Sequence, residues 1–215
     1  MESREAPINL FRFEDPRQKR IYEKLLRLVG PGAASFYQDA CRLMEIKPPL
    51  ETTTHLVAHS LREIESALRD VLEPVAEQAN SLERKKSKGG NNHRTEILSV
   101  LKGLGIPETD SIAQAWLKTA DQGNSYRLHA RAHRNALTTP HPPDEGFLQF
   151  WNDMEAMLDV VLDKFESAYV SVFKFLDELL VKPAPSQNNV KKLRDHIPNN
   201  QVAFSYFFDK LTSST

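Results

Sequence analysis

The stretch GFLQFWNDMEAMLDVVLDKFESAYVSVFKFLDELLV, residues 146–181, decides the fold class. Phe147, Trp151, Met154, Leu158, Val161, Phe165, Tyr169, Val172, Leu176 and Leu179 recur every three or four positions, a spacing that gathers side chains on one stripe of an α-helix. Pro142-Pro143 stand just ahead of the run and Pro183 and Pro185 just after it, so the breakers lie outside the periodic segment. The run is predicted to be the central helix of a helical core.

Working outward, the same period returns. Pro16–Val29 carries Ile21, Leu25, Leu28 and Val29 on one side, and Gly30-Pro31-Gly32 breaks it. A second helix is expected from Ala33 or Ser35 through Phe36, Ala40, Leu43 and Met44, with a stop at Pro48-Pro49. Thr52, Thr53 and Thr54 offer capping hydroxyls ahead of HLVAHSLREIESALRDVLEPVAEQA, where Leu56, Ser60, Ile64, Ala67, Leu68 and Val71 form the expected buried stripe. Further helices are read from Glu96 to about Leu104, from Asp110 or Ser111 through Ala113, Trp116 and Leu117, and from the Gly123-Asn124 break to Leu137. No alternating β-branched run is bounded by turn residues, so the chain reads as all-α, a multi-helix bundle.

Composition sets outer bounds. The chain has 215 residues, 40% hydrophobic and 27% charged, which is ordinary for a globular domain with a real core. The net charge of −1 supplies no global field toward nucleic acid or membrane, so any such affinity has to come from a local patch. The lone Cys41 excludes an intramolecular disulfide and a Cys-rich zinc site, and beside Ala40 it reads as a buried small hydrophobe. No signal segment and no spanning apolar run is read, and a cytoplasmic protein without membrane contact is expected. Gly30-Pro31-Gly32 lacks the pattern of a phosphate loop, and Ser35, Ser60 and Ser125 lack the setting of a nucleophile.

The chemistry-bearing stretch is SYRLHARAHRNAL, residues 125–137. Between Gln122 and Pro143 there is no acid, whereas Asp144 to Glu178 is rich in acids. With Arg84, Lys85, Lys86, Lys88 and Arg94 of the SLERKKSKGGNNHR segment, an exposed loop by composition, the basic stretch can form a cationic surface for phosphate oxygens. The plainer reading sets the basic helix against the acidic one across the bundle. His129 and His133, four apart, share a helix face, as do His55 and His59 with Glu63 one turn on, so a two-pair metal site is conceivable. HEXXH is absent, and the expectation is no metal and no cofactor. Glu63 and Glu65 with Arg62 and Arg69 read as an exposed face of alternating charge.

The segment LVAHSLREIESALRDVL, then a weakly helical region, then RLHARAHR opening a helix, then the long apolar helix, resembles the HEPN superfamily of helical bundles over residues 50–182. That family is known from bacterial defence and toxin systems, and many members are metal-independent ribonucleases with an arginine followed a few residues later by histidine. Arg127 and His133 match the motif, while Leu128 stands where active members usually carry a polar residue. The resemblance implies a homodimer with two motifs facing one cleft. Proton transfer would fall to His133, phosphate binding to Arg127, and support to His129 and Arg131, with Arg84, Lys85, Lys86, Lys88 and Arg134 holding RNA.

The expected domains are 1–49, helices packing on the bundle; 50–182, the HEPN-like bundle; and 183–215, a linker at Lys182-Pro183-Ala184-Pro185-Ser186 and a helical pair hinged at Pro198. IPNNQVAFSYFFDKL, with Phe204, Tyr206, Phe207 and Phe208, is similar to the opening unit of helical-repeat regions in large bacterial proteins. The expected role is an N-terminal module of a longer chain, serving dimerisation or partner docking, with endoribonuclease activity as the alternative.

Overall fold

The computed structural model describes residues 11–80, 93–120, 128–132 and 139–180, with side chains for 11–72, 93–120, 128, 131–132 and 139–167. Within them stand α1 (Pro16–Leu28), α2 (Pro31–Glu45), α3 (Thr53–Asn80), α4 (His93–Gly103), α5 (Ser111–Ala120), α6 (Leu128–Ala132) and α7 (Glu145–Leu180). The chain is all-α, with no strand among the described residues.

Local chemistry sets the ends. Asp15 caps α1 by accepting the Arg17 amide at 2.7 Å, and Pro16 stands at the first position, where the missing N–H costs nothing. Asp110 caps α5 through the Ile112 amide at 2.8 Å, and Asp144 caps α7 through the Phe147 amide at 2.7 Å. Gly105, at φ +69°, ends α4: the Ile106 amide bonds back to the Leu101 carbonyl and the Gly105 amide to that of Lys102. Gly30 turns the chain from α1 into α2 at φ +132°, a conformation that a side chain rarely adopts.

The helices pack in chain order, α1 on α2, α2 on α3, α3 on α4 and α4 on α5, and α7 closes the ring by lying against α5 and α1. The short α6 lies against α3 and α5. One continuous core fills the ring, and α1 and α2 belong to it through Ile21, Leu25, Leu28, Tyr37, Ala40 and Cys41. α7 supplies much of the core's bulk, with Phe147, Trp151, Met154, Leu158, Val161 and Phe165 buried as expected, and Phe150, Met157 and Leu162 buried beside them. Each such side chain contributes about 1.5–3 kcal/mol on burial. Tyr169, Val172, Leu176 and Leu179 are helical, and their side chains lie outside the described ones; residues 181–215 lie outside the described residues altogether.

One expectation for α3 changes. On α3, Ser60, Ile64 and Leu68 are buried as expected and Ala67 and Val71 are partly buried, while Val57, Leu61 and Leu72 join them inside and Leu56 is 38% exposed. The run Leu56-Val57 offers two apolar phases, and packing against α2 and α4 selects the one led by Val57. On α2, Phe36 points outward while Ala33, Ala34 and Tyr37 take the inner face.

Thr53, fully buried at the start of α3, has a hydroxyl oxygen with no hydrogen-bond partner among the described residues. Thr53→Val keeps the shape and removes an orphaned polar atom, so urea denaturation is expected to show a gain of roughly 1 kcal/mol. A loss of stability would mean that the hydroxyl is bonded in solution.

Candidate functional site

α6 is fastened by its own spacing. Leu128 and Ala132, four apart on one face, are 3% and 6% exposed and seat the helix against α3. The His55 ring nitrogen Nδ1 lies 3.1 Å from the Arg131 carbonyl oxygen and ties the two helices through the polar edge. The Arg131 guanidinium lies over the rings of Phe150 and Phe147, 4.7 and 5.6 Å from their centroids. Such stacking is worth about 0.5–2 kcal/mol and fixes α6 to the first turns of α7. Below it, the Thr54 hydroxyl donates to the His141 carbonyl at 2.8 Å, and the Thr54 amide reaches the same oxygen at 3.3 Å. Three elements therefore meet at one joint, the start of α3, α6, and the start of α7.

Of the residues singled out by sequence, Arg131 is placed at this joint, and His129 lies on α6 with its side chain outside the described ones. Arg127, His133 and Arg134, and Arg84, Lys85, Lys86 and Lys88, lie outside the described residues. Leu128, the departure from the polar residue of the motif, is an anchor of α6 in the core. His59 is exposed on α3. Among the described residues no three of His, Cys, Asp and Glu converge on a common point that could hold a metal ion.

Four acids of α7 pair with α1. Arg17 meets Glu155 at 2.6 Å, Arg20 meets Asp159 through two hydrogen bonds of 2.9 and 2.5 Å, Lys24 pairs with Asp163, and Arg27 pairs with Glu166. Both partners advance together along the chain, so α1 runs parallel to α7 with a ladder of ion pairs between them. The signal was present in the sequence as Arg17, Arg20, Lys24 and Arg27, spaced by three, four and three.

Two buried carboxylates complete the picture. Glu155, 1% exposed, accepts from Arg17, from Gln18 at 2.9 Å and from the Tyr37 hydroxyl at 2.8 Å. Burial raises its carboxyl above the ordinary range, and the three donors offset this only in part. The same burial pushes the phenol of Tyr37 and the thiol of Cys41 well above their usual ranges, so Cys41 is an inert core residue. Glu65 overturns the expectation of an exposed charged face. It is 4% exposed, and its Oε1 accepts from Arg69 at 2.8 Å and from the Trp116 indole at 3.2 Å, while Arg69 also pairs with Glu96. These groups bind α3, α4 and α5 to one another.

Among the described helices none is long and apolar enough to cross a membrane. No family model, curated protein or solved structure matches the chain.

Proposed function

We propose that the chain is a helical docking module, HEPN-like in its bundle and of the kind found in bacterial defence proteins, that acts by binding a partner through one end of the ring. The observation that carries this reading is that, of the six large apolar side chains left 38–45% exposed among the described residues, Leu26 and Phe36 stand on α1 and α2 while Ile46, Leu50, Leu56 and Leu148 stand where α2 ends and α3 and α7 begin. Ile46 and Leu50 follow α2, Leu56 opens α3 and Leu148 opens α7. Large apolar side chains gathered at one end contribute little to the isolated fold and mark an interaction surface. Leu56→Asn combined with Leu148→Asn is therefore expected to leave the thermal midpoint and the helical circular dichroism unchanged within roughly 0.5 kcal/mol of stability. A loss above roughly 1.5 kcal/mol, the range of a buried leucine, would assign these side chains to the core and end the docking reading.

A second reading, endoribonuclease activity, is supported by the anchoring of α6, since Leu128 and Ala132 hold the short helix between Arg127 and His133. In this reading His133 moves the proton of the RNA 2′-hydroxyl and Arg127 meets the charge growing on phosphate, with His129 and Arg131 in support and Arg84, Lys85, Lys86, Lys88 and Arg134 along the RNA. Cleavage of labelled RNA in the presence of a chelator is expected to fall by about 10²-fold in His133→Ala. Equal cleavage by parent and variant, or none by the parent, sinks it.

A further inference from the structure

We draw no further inference here: the strongest candidate, the exposed apolar patch of Ile46, Leu50, Leu56 and Leu148 where α2 ends and α3 and α7 begin, belongs to the docking reading already given, and nothing in the structure shows what covers it.

Discussion

Arg69→Leu is expected to destabilise the protein by about 3–5 kcal/mol, the range for removing one partner of a buried ion pair. The arginine side chain is 12% exposed and the facing Glu65 side chain 5%, so little water is available to replace the lost bond. Leucine fills part of the volume and leaves a carboxylate whose remaining described donor is the Trp116 indole at 3.2 Å. Glu96 loses its arginine as well, and His93, whose Nε2 lies 3.3 Å from Arg69, loses a neighbour. The loss therefore reaches α4 and α5 in addition to α3. Adding Glu65→Gln removes the orphaned charge but keeps an acceptor for the indole, and it is expected to restore at least half of the lost stability. Urea denaturation of the two single variants and the double variant measures the coupling. A cost below about 1 kcal/mol for Arg69→Leu, the worth of a surface pair, would mean that water already reaches Glu65.

The contrast between Glu65 and α7 shows what a sequence makes legible here. The stripe of α7 repeats over many turns, and periodicity alone places Phe147, Trp151, Met154, Leu158, Val161 and Phe165 inward. Burial of a charge has no such local signature. Glu65 and Arg69 spaced by four look like any solvated pair, and only the arrival of Trp116 from α5 and Glu96 from α4 turns them into an internal network. The placing of Leu56 failed for a related reason: Leu56 and Val57 are both apolar, and the choice between them is made by α2 and α4. The α1–α7 ladder is legible in the spacing of Arg17, Arg20, Lys24 and Arg27. Of the basic cluster at 125–137, the described part shows Leu128 and Ala132 as anchors and Arg131 held on two phenylalanine rings. Sequence could have supplied this too, since Leu128 and Ala132 are the apolar pair at helical spacing.

Removing the Glu155 carboxylate tests the other buried acid, and here pH gives the sharper result. Glu155→Ala leaves the fully buried Tyr37 hydroxyl without its acceptor and frees Arg17 and Gln18 from α7. A cost of about 3–5 kcal/mol is expected, the range for breaking a buried charged cluster. Glu155→Gln separates charge from shape. Because burial raises the folded-state carboxyl above its ordinary value, the neutral form is the one the fold favours, against the pull of Tyr37, Gln18 and Arg17. The stabilisation linked to this proton is complete below the unfolded carboxyl value of roughly 4.3 and is lost as pH rises through the higher folded one. The glutamine variant carries no such proton. The stability of the parent minus that of Glu155→Gln is therefore expected to fall as pH rises through this window and to flatten above it. Urea midpoints at a series of pH values would show it. A difference that instead grows with pH would mean that the Arg17 ion pair outweighs burial, and that α1 is clamped to α7 by charge attraction at this rung.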